Sequence, residues 1–535
     1  MGVPKDESKA REATETLARN GGNKSAAARE IGISPSALRS RLENARLLKI
    51  PAAESSIRSP SIVPATTVVQ RFLLTAAQDD TPIHEGFWGN LKAYADFLGA
   101  EIMVGGYTYQ KGLFEDHSVA AGRFDQRIAP YLRPEVVDLG PRIVWYGKAN
   151  ILPTATDPLS GWETATREKW AVFPHAKIAL RCVPVMPGAP GKQIMTTGVV
   201  TQPNYVQRNS GQKASFHHTI GATIVEVTPA GRHFCRQIVA VADGSFQDLD
   251  YCVHAGKVTT GNEVEAITWG DIHYEFLDPD VARGSWGFNV NTGLCDIEGS
   301  MLDVLRPRHG FVHDSFNFTA RSHHTKNDPH ERVKRIAEGR DAVEPEIAQT
   351  ARFLAAIRRP WCTTVHVDSN HNQHLHKWLK DESAFRDPVN AAYWCELNAA
   401  ALRAAEAGNS DFLIHEHALR AAMPDNLRGI TFLRAGQSYQ VCQATSPVEC
   451  GLHADIGPNG AKGSAPAFAR IVERANGAHL HYAVIRESYF GAGTSSLMNM
   501  VYNTKGPGSW SQSHTLTYPS SKRTIITLNG PEWRA

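Results

Sequence analysis

Asp271 and His273, two residues apart, are the first pair in this 535-residue chain whose types and spacing could do chemistry together. They follow an apolar, β-branched run at 264–268 that is typical of a strand entering a buried sheet. At the carboxyl end of such a strand, both side chains can point into one crevice. A carboxylate oxygen and an imidazole nitrogen together suit a divalent metal such as manganese, iron or zinc. Alone, an Asp-x-His triplet is too common to predict a site, so the residues that follow it matter.

Further candidate ligands follow in a fixed order towards the carboxyl terminus. Most of them stand at or near the end of an apolar run, or in an irregular turn. Side chains at such positions can converge on one rim from separate segments of the chain. In chain order these residues are Asp314, Asn370 with its neighbour His371, His453, His479 and His481.

These residue types predict two divalent metals rather than one. Two metals about 3.5–4 Å apart need a bridging carboxylate, and Asp314 suits that role. One asparagine and several imidazoles keep the charge of the site low, so that it attracts a phosphate. We expect Mn²⁺, with Mg²⁺, Fe²⁺ or Zn²⁺ as alternatives. The remaining ligands are Asp271, His273 and His481 for one metal, and Asn370, His453 and His479 for the other.

Histidine is frequent in the chain, with 23 residues, so other histidines compete for these roles. His415 and His417 end an apparent strand at 411–414, and either could replace His453 as a ligand. A helix that ends in Arg-Ala-Asn-Gly is also expected near 465–474, before His479 and His481. His371 is assigned no metal. At the rim of the site it would contact the phosphate or protonate the departing oxygen.

The order Asp-x-His, Asp, Asn-His, His and His-x-His resembles the calcineurin-like metallophosphoesterase superfamily. The gaps are 41 residues from His273 to Asp314, 82 from His371 to His453, and 26 from there to His479. They are similar to the gaps in the DNA-repair nucleases of that superfamily. The chain departs from the family pattern next to several ligands, for example where His313 stands for the glycine before Asp314.

This resemblance covers residues 261–535 and implies an α/β fold, a four-layer αββα sandwich around a two-metal phosphodiesterase site. Helices are expected outside its sheets, because apolar residues recur there at intervals of three and four. The expected helices lie near 331–340, 345–359 and 387–408.

A second resemblance spans most of 69–535. Four stretches are similar to the pre-early DNA-transfer nucleases of T-five-like bacteriophages. It implies a phage protein that is made early in infection and acts on DNA in the host cytoplasm. The stretches are 75–87, 197–205, 216–222 and 506–514.

Residues 1–50 predict a small all-α unit with helices at 7–19, 25–31 and 35–45. Gly32 supplies a turn, and Ser34 followed by Pro35 is typical of a helix start. A short helix, a glycine turn and a capped basic helix are typical of a helix-turn-helix. A small oligomerisation bundle is the alternative. The residues expected to contact DNA are Ser36, Arg39, Ser40 and Arg41.

Composition and charge set the remaining expectations. The net charge is only +2, but residues 1–50 carry +4 of it, which leaves about −2 for the rest. Residues 51–67 are rich in proline, serine and alanine and predict a flexible linker. A β-α-β unit opens the stretch 68–260, an α/β domain whose role is open, and 261–535 is the metal domain.

The chain has no run of about 18 apolar residues, so we expect no membrane span. No secretory signal is visible at the amino terminus. Eight scattered cysteines favour a reducing compartment, so a cytoplasmic location is expected. Three functions remain: a metal-dependent DNA nuclease, a phosphatase on the same fold, and a non-catalytic DNA-binding regulator. The expected partner is DNA, and self-association into a homo-oligomer stays open.

Overall fold

The computed structural model describes residues 7–19, 24–48, 68–108, 123–322, 328–434, 436–453, 473–500 and 506–535. The chain divides into two compact units, residues 1–67 and 68–535. The predicted linker at 51–67 lies outside the described residues.

The first unit contains the three predicted helices. Gly32, at φ +67°, makes the turn before the third helix, a backbone conformation that glycine adopts without strain. The Ser34 hydroxyl accepts a hydrogen bond from the Ala37 amide at 3.2 Å and so caps that helix. Leu38 is fully buried against alanines of the other two helices. The helices are α1 (Glu7–Arg19), α2 (Lys24–Glu30) and α3 (Pro35–Leu47).

The second unit is mixed α/β, as predicted, with helices and several sheets. None of the helices among its described residues is long and apolar enough to cross a bilayer. The helices are α4 (Glu85–Leu98), α5 (Asn209–His217), α6 (Pro279–Trp286), α7 (Met301–Leu305), α8 (Pro329–Ala337), α9 (Val343–Ala356), α10 (Asn372–Leu379), α11 (Ala391–Glu406) and α12 (Ile414–Ala422). Short 3-10 turns occupy Ala129–Tyr131, Tyr274–Phe276, Thr319–Arg321 and Glu382–Arg386.

The strands are short, and most are buried. They are β1 (Gln70–Gln78), β2 (Glu101–Tyr107), β3 (Val136–Gly140), β4 (Ile143–Tyr146), β5 (Trp170–Phe173), β6 (Leu180–Val183), β7 (Lys192–Thr196), β8 (Gly221–Val227), β9 (His233–Val239), β10 (Phe246–Asp248), β11 (Tyr251–His254), β12 (Lys257–Thr259), β13 (Ala266–Thr268), β14 (Phe288–Asn289), β15 (Leu294–Cys295), β16 (His309–Val312), β17 (Thr363–His366), β18 (Thr431–Phe432), β19 (Gln440–Val441), β20 (Val448–His453), β21 (Ala475–Ala478), β22 (Val484–Arg486), β23 (Tyr489–Gly491), β24 (Ser513–Thr517) and β25 (Arg523–Thr527).

A four-stranded sheet in the order β2-β1-β8-β9 opens the second unit. β1 and β2 are parallel and are joined through α4, which confirms the predicted β-α-β unit. Phe87 and Leu91 of α4 pack on one face of this sheet with Leu73. On the other face, Leu74 packs with Trp145 of the ten-stranded sheet. The four-stranded sheet is therefore covered on both faces.

A six-stranded sheet in the order β18-β17-β16-β13-β24-β25 carries the main helical layer. The first four strands are parallel, and the last two are antiparallel to their neighbours. Adjacent residues face opposite ways: Ile267 packs with the helices, and Ala266 packs with strands of the ten-stranded sheet. The predicted helices of this region, α8, α9 and α11, lie within a few residues of their expected bounds.

The ten-stranded sheet, in the order β19-β20-β21-β23-β22-β6-β7-β5-β4-β3, joins strands from both sides of residue 260. Its junction is the antiparallel pairing of β22 with β6, where Ile485 lies opposite Leu180. The expected boundary between 68–260 and 261–535 therefore crosses this sheet, and it stays a prediction.

One secondary-structure prediction was wrong, and another falls mostly outside the described residues. The run 411–414 was expected to be a strand, but α12 begins at Ile414 and contains His415 and His417. The short apolar run is ambiguous by itself, and the burial of Ile414 with Ala418 gives it helical spacing. The helix expected near 465–474 falls mostly on 465–472, which lie outside the described residues. The residues expected to end it, Arg-Ala-Asn-Gly, run into strand β21.

Candidate metal centre

Three parallel strands deliver the first candidate ligands to one edge of the six-stranded sheet. Thr268 at the end of β13 lies opposite Phe311 of β16, and Val312 at the end of β16 lies opposite His366 of β17. The three strands therefore end side by side, and the residues that follow them begin at the same edge of the sheet. Open α/β sheets place their ligand sites at the carboxyl ends of parallel strands for this reason. The residues brought there are Asp271, Asp314 and Asn370 with His371.

The ten-stranded sheet supplies the opposite wall. His453 is the last residue of β20 and lies opposite Ala478, the last residue of β21, in a parallel pair. His479 and His481 follow β21 directly. Because the two sheets pack face to face, their strand ends meet, and all seven predicted ligands lie at that junction.

The first group of candidate ligands comprises Asp271, His273, Asp314 and His481, all of which are buried. His481 Nε2 lies 3.0 Å from His273 Nε2 and 3.3 Å from Asp271 Oδ2. Asp314 Oδ2 lies 3.7 Å from His273 Nε2. Four potential ligand atoms from three chain segments thus surround one small volume.

The second group comprises Asp314, His453 and His479. His453 Nε2 lies 3.7 Å from Asp314 Oδ2 and 2.9 Å from the side-chain oxygen of Asn370. Asp314 is thus common to both groups, and the same oxygen, Oδ2, faces a histidine of each. The buried aspartate and histidine groups could hold metal ions.

Two carboxylate oxygens test whether this pocket fits a cation. Asp314 Oδ2 and Asp271 Oδ1 are buried and accept no hydrogen bond from the described residues. Burying an oxygen that carries charge is costly unless a partner compensates it. Ligand atoms about 2.0–2.2 Å from one ion lie about 3–3.5 Å from one another, close to the separations in the first group. The residues therefore fit a divalent cation.

The electrostatics of the centre agree with this fit. Burial lowers the pKa of His273, His453 and His481 well below the ordinary histidine value, and neighbouring histidines lower it further. These imidazoles are therefore neutral and can present a lone pair, as metal binding requires. Burial, followed by the charge of Asp314, raises the pKa of Asp271. A cation between the two carboxylates would remove that penalty.

Four of the candidate ligands have left-handed backbone conformations. Non-glycine residues rarely adopt such conformations, and each costs about 1–3 kcal/mol. Residues of this kind cluster at functional sites, where the surrounding structure holds them in place. They are His273 (φ 42°), Asp314 (φ 42°), His479 (φ 94°) and His481 (φ 57°).

Gly270 allows the chain to pass close to a neighbouring loop just before Asp271. A Cβ atom at this position would lie 2.8 Å from the carbonyl carbon of Thr494 and 2.9 Å from the Ser513 oxygen. Both are backbone atoms, so they cannot move aside cheaply. The Thr494 hydroxyl donates a hydrogen bond to the Asp271 carbonyl at 3.0 Å and holds the loop there.

His371 lies beside the two groups without joining either. Its backbone amide donates to Asp314 Oδ1 at 3.4 Å, and its ring packs edge-on against His273 at 4.5 Å between centroids. The Asn317 carbonyl lies 3.2 Å from His371 Nδ1. A proton on Nδ1 can satisfy that carbonyl, which leaves Nε2 as the ring nitrogen available to a substrate.

Two residues that contact the ligands were not among the predicted site residues. His313 Nδ1 lies 3.3 Å from His453 Nδ1, on the side of that ring away from Asp314. Trp510 packs edge-on against His481 with ring centroids 4.3 Å apart. His313 directly precedes Asp314, which was a signal for it, whereas nothing in the sequence pointed to Trp510.

The two competing histidines lie elsewhere. His415 packs parallel to His366, with ring centroids 5.6 Å apart, and His417 packs against Phe412. Neither belongs to the two groups that share Asp314.

In the first unit, Ser36, Arg39 and Ser40 are exposed on α3. Arg41 is half-buried, and its guanidinium pairs with Glu12 of α1 at 2.8 Å. Three of the four predicted DNA contacts are therefore open to a partner, whereas Arg41 also braces the helices.

The chain was compared with protein families, with individual proteins and with solved structures. Residues 14–44 match the family model described as bacterial regulatory protein, Fis family. No solved structure matches the chain. Protein A1 of Escherichia phage T5 is 35% identical over 475 residues, which cover 87% of this chain and 83% of that protein. With this identity over most of both sequences, the chain belongs to the family of the phage T5 protein A1.

Proposed function

We propose that this protein is a metal-dependent nuclease that hydrolyses DNA phosphodiester bonds at a two-metal centre. The observation that carries the proposal is Asp314, a buried carboxylate whose unbonded Oδ2 faces His273 of one group and His453 of the other. A bridging carboxylate with separate ligands on either side is what a two-metal hydrolytic site requires.

The architecture supports this proposal. Helices, the six-stranded sheet and the ten-stranded sheet, which also contains strands from 136–196, give three successive layers, and the candidate ligands stand where the two sheets meet. We interpret these layers as part of a metallophosphoesterase αββα sandwich. The expected ligand order along the chain supports the same family.

Within the proposed site, Asp271, His273 and His481 would hold one metal, while Asn370, His453 and His479 would hold the other. Asp314 would contribute to both. Divalent ions in such a site activate water and neutralise the charge of phosphoryl oxygens, and we expect Mn²⁺ in the native protein.

His371 supplies the proton that the departing oxygen needs. The Asn317 carbonyl orients its ring through Nδ1, and the amide of His371 is tied to Asp314, so Nε2 keeps a fixed position at the rim. Histidine is the side chain that most often serves as a general acid in enzymes.

The first unit serves as a DNA tether in this proposal. The match to a bacterial regulatory family and the exposed Ser36, Arg39 and Ser40 support DNA binding by α3. A tethered second site raises the local concentration of the substrate. Kinship with a phage protein supports action on DNA in the host cytoplasm, and assembly into a homo-oligomer is compatible with it.

Purified protein incubated with supercoiled and linear DNA tests the function. Cleavage should require Mn²⁺ or another divalent ion, stop with EDTA, and be lost in Asp314→Asn while DNA binding persists. A protein that binds DNA but never cuts it with any divalent metal would instead be a DNA-binding regulator. Hydrolysis of phosphomonoesters without cleavage of DNA would identify a phosphatase.

A further inference from the structure

A cavity of about 470 Å³ lies at the opposite end of β21 from the candidate metal centre. Arg474 of its lining precedes that strand, and His479 of the centre follows it. Five residues of extended chain span about 16 Å. A group bound in this cavity is thus separate from one bound at the metal centre. Its lining includes the cations Lys522 and Arg523, the exposed ring of Phe216, and Lys177, which lies 3.8 Å from the acid Glu487 of the same cavity.

Arg523 is the most unusual residue of the cavity because its buried charge has no acidic partner. Its side chain is only 7% exposed, and Nη1 donates to the carbonyls of Ala475 at 2.7 Å and Ser488 at 3.0 Å. Nη1 also lies 3.3 Å from the Asn476 side-chain oxygen, and the guanidinium carbon lies 4.2 Å from the centre of the Phe490 ring. Among the described residues, Nε and Nη2 have no hydrogen-bond acceptor, and no carboxylate lies within 4.0 Å. Two donors of one guanidinium fork are therefore left for an anion, the group that such a fork binds best.

Neighbouring cations make the cavity still more positive. Burial lowers the pKa of Lys522, and the charges of Arg474 and Arg523 lower it further. Burial, followed by the charge of Arg474, also lowers the pKa of Arg523 to about 9. Arg474 pairs at 2.6 Å with Glu473, which is 79% exposed, so that surface pair contributes little. An anion would relieve the repulsion among the three cations.

An exposed aromatic ring stands at the same cavity. Phe216, in the last turn of α5, is 83% exposed, and its ring meets His217 edge-on at 5.0 Å. Proteins bind single-stranded nucleic acids with an exposed aromatic ring beside cations, because bases stack on the ring while phosphates pair with the positive charge.

We propose that this cavity binds a nucleoside phosphate, with the phosphate held by Arg523 and Lys522 and the base stacked on Phe216. A nucleotide can arrive either at the end of a DNA strand or as a free mononucleotide. The proposal concerns binding alone, and it stands whether or not the metal centre cleaves DNA.

Binding of three probes by the full chain, measured in EDTA, tests the proposal. The probes are dAMP, inorganic phosphate and a fluorescent single-stranded 12-mer. Lys522→Ala should weaken binding of dAMP about tenfold or more, the loss of one charge-assisted hydrogen bond. Phe216→Ala should weaken dAMP about 5- to 100-fold, the worth of one stacked base, and leave inorganic phosphate unchanged. Lys257→Ala and Phe385→Ala remove an exposed cation and an exposed ring outside the cavity and serve as matched controls.

The probes also separate the two sources of the nucleotide. If both cavity variants bind dAMP more weakly than the wild type, the cavity is a site for free nucleotides. If they weaken binding of the 12-mer alone, the cavity binds the end of a strand. The proposal is overturned if no probe binds saturably, or if Lys522→Ala and Phe216→Ala bind every probe as their controls do. Phe216 is almost fully exposed, so its substitution leaves the fold intact and keeps the test decisive.

Discussion

Replacing Asp314 by asparagine should deplete both metals together. The change keeps the shape of the side chain and an oxygen that can still accept from the His371 amide, but it removes the buried negative charge. Two unit charges about 4 Å apart interact by about 4 kcal/mol at an effective dielectric constant of about 20. Loss of that interaction weakens each ion by roughly 10³-fold or more, since each ion carries more than one charge.

Metal analysis of the purified variants, normalised to folded protein, measures this effect. Wild-type protein loaded with Mn²⁺ should retain about two ions per chain, the number that a two-metal site holds. Asp314→Asn should retain between none and one. Asp271→Asn is the matched comparison, because Asp271 belongs to the first group only and its loss should remove one ion.

Asp341→Asn controls for the loss of a buried acid as such. Asp341 pairs with Arg321 at 2.7 Å, away from the candidate ligands, so this variant should lose stability and keep its metals. Two tightly held metals in Asp314→Asn would refute the bridging role. Equal metal loss in Asp314→Asn and Asp271→Asn would show that Asp314 serves one ion alone.

Three further predictions concern other parts of the molecule. His371→Ala should keep both metals and DNA binding but cut DNA about 10²–10⁴-fold more slowly, with a smaller effect on a nitrophenyl phosphodiester, whose leaving group needs no proton. Deletion of residues 1–50 should weaken DNA binding and flatten its salt dependence, while hydrolysis of the small diester persists. The free energy of unfolding should fall as the pH drops from 6.5 to about 4. Burial lowers the pKa of His175 and of His233 to about 4, so only the unfolded chain takes up these protons in that interval, at a cost of about 3 kcal/mol for each residue.

Different outcomes would contradict each of these. Equal slowing on good and poor leaving groups, with metal loss, would make His371 a packing residue. Unchanged DNA affinity at every salt concentration after deletion would favour the oligomerisation bundle. For the acid transition, His175→Gln should reduce the dependence of unfolding free energy on pH, and an unaltered slope would exclude His175 as a source.

The candidate site was largely predictable because its ligands follow strand ends. A short β-branched run followed by a polar residue is a local pattern, and parallel strands place such residues at one edge whatever lies between them. Asp271 and Asp314 are separated by a helix-rich segment, yet β13 and β16 pair directly. The helix-turn-helix unit was also readable, since Gly32 and Ser34 mark its turn in the sequence.

The pairing of strands that lie far apart in the chain could not be predicted from the sequence. The pairing of β22 with β6 joins residues about three hundred positions apart, and short strands of this kind carry no mark of their partner. The start of the helix at Ile414 was misassigned because the short apolar run 411–414 fits a strand or a helix until its packing is known. Small residues such as Gly477 suit β21 because the Tyr489 ring would meet any Cβ there at 2.6–3.1 Å, a contact that only the fold reveals.

Backbone hydrogen bonds between the ligand loops hold the strained backbone at the candidate ligands in place. The His273 amide donates to the Asp314 carbonyl at 2.7 Å, and the Ile272 amide donates to the His313 carbonyl at 3.1 Å. The Asp271 amide donates to the Gly493 carbonyl at 3.1 Å. These bonds involve backbone atoms only, so they persist when a ligand side chain is changed. They can offset left-handed conformations of about 1–3 kcal/mol each without help from a metal. The centre is therefore preorganised by its backbone, and a substitution at Asp314 should empty it of metal while leaving the ligand loops in place.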